Sequence, residues 1–288
     1  MINVDPRRPK GIVWIASYPK SGNTWMRMFL YQLMRIMGGH PREADELNKL
    51  DRSSMYESHL FGLFEQVLGK PLPDATRVEV SKARERVHAI VAERVDSVAL
   101  VKTHNVLGHF GGVPTVNPAV SVGAIYIVRD PRDVVPSLAK HLGSPIEGAI
   151  RVLGQSGFST QGTEESAFEI WGSWSEHVLS WTMTPTEAML VVRYEDMHTK
   201  PTETFTAVVN HLRQSPTPEQ IAEAIELSTF DSLRSQEEQY DFRERSPRAD
   251  RFFVAGKSGG WREKLSDAEA AAIVEAHGPQ MRNLGYLD

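Results

Sequence analysis

The chain has 288 residues, of which 41% are hydrophobic, with a net charge of −5 and a pI near 6.1. This length suits one large α/β domain or two small ones, with enough apolar residues for a sizeable core. The acidic balance argues against a nucleic-acid partner, because proteins that grip a polynucleotide usually carry a basic balance. The lack of cysteine excludes disulfides and thiolate chemistry and argues against a structural zinc site.

The N-terminal sequence MINVDPRRPKG has no long apolar run before its first charges, so we expect no signal peptide. The longest apolar-rich stretch, AVSVGAIYIV at residues 119–128, is far shorter than the roughly 20 residues needed to span a bilayer. We therefore expect a soluble, cytoplasmic protein without a membrane partner.

Four short runs indicate buried strands, because each is rich in β-branched and apolar residues and lacks polar alternation. Such strands are typical of a parallel sheet covered on both faces. Helical patterns separate them, which predicts an α/β fold: a single domain over residues 1–288, with a central parallel β-sheet, right-handed crossovers and flanking helices. The predicted strands are residues 11–16, 97–103, 123–129 and 189–194; the predicted helices are residues 24–37, 81–94, 131–141, 165–182, 201–213, 217–227 and 266–276.

Two segments interrupt this alternation. Residues 142–164 are rich in Gly and Ser with weak periodicity, and residues 235–260 are heavily charged and then Gly-rich. Both are long for connections within a compact domain, and such loops often serve as lids or binding loops. For residues 142–164, a solvated surface excursion is an equally open interpretation.

The sequence SYPKSGNTWMRMFL, residues 17–30, follows the first predicted strand directly. Pro19 and Gly22 shape a tight turn, after which a helix begins near Asn23 or Thr24. The free N–H groups and the dipole of that helix make an anion site at the turn. A plain strand-turn-helix with a capping side chain is the structural alternative. Further donors in the turn are Lys20, Ser21, Asn23 and Thr24.

This turn is not a Walker A loop, which requires G-x-x-x-x-G-K-[ST]. The turn has one glycine, and its lysine precedes that glycine. The sequence GKS occurs at residues 256–258, but Arg251 stands where the first Walker glycine belongs and no predicted strand leads into it. A nucleoside-triphosphate kinase is therefore poorly supported.

The sequence YPKSGNTW resembles the 5′-phosphosulfate loop of the cytosolic-type sulfotransferase family, usually Y-P-K-S-G-T-T-W. Asn23 stands where the family most often has Thr, and it still donates. These enzymes transfer a sulfuryl group from 3′-phosphoadenosine 5′-phosphosulfate (PAPS) to an acceptor hydroxyl or amine. The resemblance implies a P-loop NTPase-like fold, PAPS as the donor and no metal.

Two further sequences resemble family motifs in the expected order. In IYIVRDPRDVVPSLAKH, Arg129 and Ser137 match the 3′-phosphate motif, and an arginine at a strand end offers a fork of donors to a phosphate. A salt bridge from Arg129 to Asp130 or Asp133 is the structural alternative. In ALVKTHNVLG, His104 matches the catalytic base and Lys102 places positive charge nearby. His104 follows a predicted buried strand, at the edge where open α/β sheets bind ligands, and an imidazole suits proton removal near neutral pH.

The resemblance also implies an adenine site. Tyr194 in LVVRYEDM matches the tyrosine that reaches the adenine, and ELSTFDSLR matches the T-S-F element. Two flat aromatic faces can stack on a base, so Trp25 and Phe230 would sandwich the adenine. Core packing is the alternative for both rings. The polar positions of the second element are Ser228 and Thr229.

The last family element, R-K-G-x-x-G-x-W, is altered here. Its frame survives through Gly256, Gly259 and Trp261, but Val254 and Ala255 replace the Arg-Lys pair that normally holds the 3′-phosphate. The implied nucleotide contacts in this element are Gly256, Lys257 and Ser258, and the basic residues that could substitute for the pair are Lys257, Arg251 and Arg248.

The implied reaction is in-line sulfuryl transfer with His104 as base and Lys20 at the bridging oxygen, while Ser137 engages Lys20 between turnovers. Residues 40–95, 142–164 and 235–260 are expected to form cap, lid or acceptor-specificity segments. Three alternatives stay open: a P-loop small-molecule kinase, the same chemistry with an aryl sulfate donor, and a non-catalytic nucleotide-binding protein. Side chains that hint at a partly apolar small-molecule acceptor are His59, Phe61, Phe64, Phe110 and Phe158.

Overall fold

A computed structural model describes residues 10–245, 251–253 and 258–288 of the chain. Seven strands are found in these ranges: β1 (Gly11–Ser17), β2 (Met55–Tyr56), β3 (Val98–Thr103), β4 (His109–Phe110), β5 (Val113–Pro114), β6 (Ser121–Val128) and β7 (Met189–Arg193). Eleven α-helices accompany them within the same ranges: α1 (Asn23–Met37), α2 (Phe61–Leu68), α3 (Arg77–Glu93), α4 (Pro131–Leu142), α5 (Ile146–Gly154), α6 (Trp174–Thr182), α7 (Tyr194–Thr199), α8 (Pro201–His211), α9 (Pro218–Leu227), α10 (Phe230–Tyr240) and α11 (Asp267–Asn283).

The main sheet has the strand order β2-β3-β1-β6-β7. Strands β1 and β3 pair in parallel, in a register that runs from Gly11 opposite Val98 to Ala16 opposite Thr103. The short edge strand β2 places Tyr56 opposite Lys102. The prediction of a central parallel sheet flanked by helices is therefore confirmed. Strands β4 and β5 form a separate antiparallel pair.

The described residues divide into two compact units. The first unit lies within Met1–Tyr18, Ser54–Tyr126 and Gln155–Val191 and contains most of the sheet. All residues of β1 and β6 are buried, as the sequence predicted for strands covered on both faces. Helix α3 begins at a capping box between Thr76 and Glu79, and its apolar side packs with Phe64 and Phe168 in one cluster.

The second unit lies within Pro19–Ser53, Ile127–Gly154 and Val192–Asp288. Helix α1 contributes Met28 and Tyr31 to an apolar cluster that also holds Phe242 and Phe253. Trp25 and Phe230 lie half-buried against the same cluster. These two aromatic residues therefore share one surface of the unit. Within the described ranges, no helix is both long enough and apolar enough to cross a bilayer.

One helix prediction and one loop prediction need correction. The helix predicted over residues 165–182 begins only at Trp174. Before Trp174, Ser159 and Ile170 form an isolated antiparallel β-bridge. Gly172 has a φ of 63°, a left-handed angle that interrupts an α-helix. Conversely, the segment 142–164 contains helix α5, which packs against α4 and α11. Its Gly and Ser content conceals an apolar spacing of three and four residues from Ile146 to Leu153.

Candidate active site

The turn between β1 and α1 has the geometry of an anion site. Lys20 and Gly22 adopt positive φ values of 68° and 103°, and α1 starts at Asn23 without a side-chain cap. The Oγ of Ser21 is buried and has no hydrogen-bond partner among the described residues. An uncapped helix start, a left-handed turn and an unpaired buried hydroxyl all fit a bound phosphate or sulfate group. Thr24, another of the predicted hydrogen-bond donors, is buried at the start of α1.

Gly22 is required by its surroundings as well as by its backbone angle. A Cβ atom on Gly22 would lie 2.5 Å from Cδ2 of Tyr194, which is below any real contact distance. The turn and the predicted adenine-site tyrosine are therefore in direct contact.

Arg129 connects the same two features. Its Nη1 donates to the carbonyl oxygen of Lys20 at 3.1 Å, and its guanidinium lies 4.0 Å from the ring centroid of Tyr194. The carboxylates proposed as alternative partners have contacts of their own. Asp130 pairs with Arg132 at 2.7 Å, and Asp133 accepts from the backbone N–H groups of two later residues, Gly259 and Trp261. Arg129 is 8% exposed, so its charge lies largely out of water beside the turn.

Trp25 lies among aromatic neighbours. Its ring centroid is 5.7 Å from that of Tyr194 and 4.4 Å from that of His198. His198 is a neighbour that the sequence analysis missed, although its position four residues after Tyr194 in α7 puts both on one helix face. Burial, together with the nearby Arg129 guanidinium, lowers the pKa of His198 to about 4. The ring next to Trp25 is therefore neutral at physiological pH.

The hydroxyls of the T-S-F-like element cap helices. Ser228 is buried and donates to the carbonyl of Ile225, and Thr229 caps α10 by accepting from the N–H of Ser232. These contacts show a structural role for both residues, and their contact with a nucleotide stays a prediction. Phe230 is the first residue of α10.

The remaining residues predicted to contact the donor come from different segments of the chain. Ser137 lies half-buried in α4, and the Lys20 ammonium lies 4.0 Å from the ring centroid of Phe252. Ser258 is exposed. Gly256 and Lys257 lie outside the described residues, as do Val254, Ala255 and Arg248.

In the first unit, backbone atoms hold His104 at the end of β3. Its Nδ1 lies 2.7 Å from the carbonyl oxygen of Ser17. A carbonyl can only accept, so Nδ1 carries the hydrogen and the neutral ring has its lone pair on Nε2. The Nε2 of His177 donates to the carbonyl oxygen of His104 at 3.1 Å, and the Tyr126 hydroxyl donates to Nδ1 of His177. Burial lowers the pKa of His177 to about 3, so the ring that donates to the His104 carbonyl is neutral.

Lys102 lies in β3, two residues before His104. Its ammonium is 3.6 Å from the ring centroid of Tyr56, and the Tyr56 ring meets the His104 ring edge-on at 5.8 Å. Tyr56 belongs to no predicted element or motif, because a two-residue strand has no periodicity to detect.

A buried polar network adjoins the residue after His104. Glu57 accepts from Arg84 at 2.7 Å and from Asn105 at 2.9 Å. The amide oxygen of Asn105 in turn accepts from the backbone N–H of Ile170. Burial alone would raise the pKa of Glu57, but Arg84 and His88 outweigh it and hold the value at about 2. This ion pair fixes the chain that follows His104.

One of the aromatic residues expected near the acceptor belongs to the core. Phe64 is fully buried in the cluster with Phe168, whereas Phe61 is exposed. The rings of Phe110 and Phe158 lie against Phe168 and Trp171, respectively.

Comparison with known proteins supports a single assignment. Residues 10–285 match the family model described as the sulfotransferase domain. Human sulfotransferase 2B1 is 22% identical over 277 residues, covering 94% of this chain, and the chain spans 66% of the length of that relative.

Solved structures agree in fold. Retinol dehydratase in complex with androsterone and the inactive cofactor PAP has a TM-score of 0.65 at 19% identity, covering 95% of this chain and 81% of that chain. A mouse sulfotransferase complexed with PAP has a TM-score of 0.60 at 18% identity, covering 96% and 86%. The architecture is thus the P-loop-like sulfotransferase fold. Because the family model matches nearly its whole length, the chain belongs to the sulfotransferase domain family.

Proposed function

We propose that this chain is a sulfotransferase that moves a sulfuryl group from PAPS to a hydroxyl or amine of a small-molecule acceptor. The observation that carries the proposal is the turn that contains Lys20 and Gly22, in a chain of this family. Both residues have left-handed backbone angles, and the helix that follows starts without a side-chain cap. The turn contacts Arg129 and Tyr194. The PAP held by the solved relatives supports a nucleotide of the same kind.

The donor side of the reaction belongs to the second unit. The backbone N–H groups of residues 22–25 bind the 5′-phosphate, since an uncapped helix start favours an anion. Lys20 stabilises the negative charge that grows on the bridging oxygen. Arg129 and Ser137 bind the 3′-phosphate, and the surface shared by Trp25 and Phe230 receives the adenine. When bound, PAPS supplies the sulfuryl group and a bisphosphate leaving group.

The acceptor side belongs to His104. With its Nδ1 hydrogen donated to Ser17, the imidazole takes the acceptor proton at Nε2. The acceptor oxygen or nitrogen then forms its bond to sulfur while the bond from sulfur to the bridging oxygen breaks. Positioning and charge stabilisation supply most of the rate, as in phosphoryl transfer. Lys102 adds positive charge on the same strand.

The acceptor is proposed to be small and partly apolar. Structures of retinol dehydratase hold androsterone or retinol, which supports this class. The segments 40–95, 142–164 and 235–260 are proposed to select it, and the enzyme is proposed to act in the cytoplasm, which cell fractionation would test.

The first experiment is a thermal-shift titration with adenosine 3′,5′-bisphosphate, and with ATP and magnesium in parallel. A stabilisation by the bisphosphate alone supports the proposal, and a stabilisation by ATP alone would replace it with a kinase. Labelled PAPS with an acceptor panel then tests transfer. An aryl sulfate that supports transfer without any bisphosphate nucleotide would show that PAPS is not the donor.

A further inference from the structure

The edge strand β2 carries a residue that faces the lysine of the candidate site. The parallel register places Tyr56 directly opposite Lys102. The Lys102 ammonium lies 3.6 Å from the centroid of the Tyr56 ring, well within the range of a cation–π contact. Lys102 is only 6% exposed, so little water competes with the ring for the ammonium. Desolvation of this kind makes the contact stronger than it is at a surface.

The hydroxyl end of the Tyr56 ring is hydrogen-bonded to a buried carboxyl group. The Tyr56 hydroxyl donates to Oε2 of Glu169 at 3.1 Å, and the indole N–H of Trp171 donates to the same oxygen at 3.2 Å. Glu169 is 5% exposed, and its Oε1 has no hydrogen-bond partner among the described residues. Burying an acidic group with one oxygen unpaired is costly, and the two hydrogen bonds to Oε2 offset part of that cost.

Burial is the largest effect on Glu169 and raises its pKa, and the positive charge of Lys102 opposes that rise. The Tyr56 ring contacts the Lys102 ammonium, while the Tyr56 hydroxyl donates to the Glu169 carboxyl group. The same ring meets the His104 imidazole edge-on at 5.8 Å and stacks on His59 at 4.3 Å. Tyr56 thus touches both residues that the acceptor side of the reaction requires.

We propose that Tyr56, held in place by Glu169, is the positioning residue for Lys102. This inference rests on the proposed function, because Lys102 must serve sulfuryl transfer for its position to matter. Tyr56 presents a flat, electron-rich face on which the ammonium rests. Glu169 fixes the orientation of that face by accepting the hydrogen bond of the phenol hydroxyl.

The kinetic test uses substitutions that separate the ring from its hydroxyl. Tyr56→Leu removes the ring and lowers kcat about tenfold, the effect of one desolvated cation–π contact, while KM for PAPS stays unchanged. Tyr56→Phe keeps the ring and loses the bond to Glu169, so kcat falls on the order of threefold. Glu169→Gln keeps the shape but replaces one carboxyl oxygen with an amide nitrogen, and its loss lies between these two. The matched control with wild-type kinetics is Glu187→Gln, at an exposed position outside the three segments proposed to select the acceptor.

A double-mutant cycle decides whether Tyr56 acts through Lys102. Lys102→Met lowers kcat, and adding Tyr56→Leu to that variant produces no further loss if the two residues act as one unit. Losses that multiply would overturn the proposal, because Tyr56 would then act by another route. If Tyr56→Leu does not fold, the same cycle is run with Tyr56→Phe.

A second measurement does not depend on turnover. Competitive reductive methylation, quantified by peptide mass spectrometry, reports how readily each lysine amine reacts, and the exposed Lys200 serves as the internal reference. We expect faster labelling of Lys102 in Tyr56→Leu and in Glu169→Gln than in the wild type. Unchanged labelling would overturn the proposal. The wild type could transfer no sulfuryl group from PAPS while its Lys102 labelling still depends on Tyr56. That result would contradict the proposed function but support the positioning of Lys102 by Tyr56.

Discussion

The Nδ1 of His104 lies 2.7 Å from the backbone carbonyl oxygen of Ser17, and this contact determines which nitrogen of the ring is basic. The hydrogen must sit on Nδ1, which leaves Nε2 to receive a proton. The carbonyl of His104 is itself held by the neutral ring of His177. The histidine is thus fixed through main-chain atoms on both sides before any substrate binds.

Replacing this histidine is expected to stop the chemistry while sparing the donor site. His104→Ala should lower kcat by about 10² to 10⁴, the usual range for loss of a general base, with adenosine 3′,5′-bisphosphate binding nearly intact. Turnover of labelled PAPS and thermal shift with the bisphosphate measure the two quantities. The exposed His109→Ala is the control and should behave as wild type. Wild-type turnover by His104→Ala would refute the assignment of the base.

Gly22→Ala should weaken nucleotide binding on the order of tenfold or more, because the new methyl group meets the Tyr194 ring and the backbone angle disfavours a side chain. Gly39→Ala is the matched control. Its φ is 65°, but nothing lies within 4 Å of the added Cβ, so it bears the backbone strain without the clash. Isothermal titration with adenosine 3′,5′-bisphosphate compares the two variants. Equal affinities would show that contact between the turn and Tyr194 does not matter for binding.

Lys20→Ala should reduce both kcat and donor affinity, since the ammonium is proposed to bind the donor and to stabilise the leaving oxygen. Lys20 has a φ of 68°, and alanine bears a similar strain there, so the substitution mainly isolates the loss of charge. Initial-rate kinetics with varied PAPS measure both parameters, and the exposed Lys200→Ala serves as the control. Unchanged kinetics in Lys20→Ala would remove this residue from the mechanism.

The ion pair of Glu57 and Arg84 predicts a specific acid sensitivity. Burial opposes ionisation of Glu57, but Arg84 and His88 hold its pKa at about 2, below the reference value of 4.5. Because the pKa of Glu57 is lower in the folded state than in the unfolded state, ionised Glu57 stabilises the fold at pH values above the pKa of the unfolded state. This stabilisation is lost as the pH falls toward about 2. Glu57→Gln should cost about 3–5 kcal/mol at neutral pH, because it leaves Arg84 buried without its charge partner.

Urea unfolding across this pH range tests the ion pair. The free-energy difference between wild type and Glu57→Gln should shrink as the pH falls, whereas the exposed Glu164→Gln should show a small, constant difference. A gap between wild type and Glu57→Gln that stays the same at low pH would contradict the assigned pKa.

The sequence was sufficient for the sheet and for the turn between β1 and α1 because both leave local signals, while the contact of that turn with a donor stays a prediction. Unbroken apolar runs predicted β1, β3, β6 and β7 within two residues of their observed ends. Glycine, lysine and hydroxyl residues close together between a strand and a helix predicted an anion site whose hydrogen-bonding geometry the structure supports.

Features that depend on contacts distant in sequence escaped prediction. Tyr56 and Glu169 are 113 residues apart, and no local sequence pattern indicates that they meet. The helix predicted from residue 165 failed for a related reason. Pairing of Ser159 with Ile170 and the left-handed Gly172 hold the chain out of a helix until the capping box at Ser173.

The register of β1 and β3 has a consequence for which amino-acid substitutions this protein can tolerate. Ala16 lies opposite Thr103, so the next residues, Ser17 and His104, meet at the ends of their strands. The group that selects the basic nitrogen is a peptide carbonyl, which every amino acid carries. No exchange of the side chain at position 17 deletes it. The Ser17 hydroxyl lies farther from Nδ1, at 3.4 Å, so the shorter carbonyl contact survives a point mutation there, whereas a slip of one strand past the other would remove it.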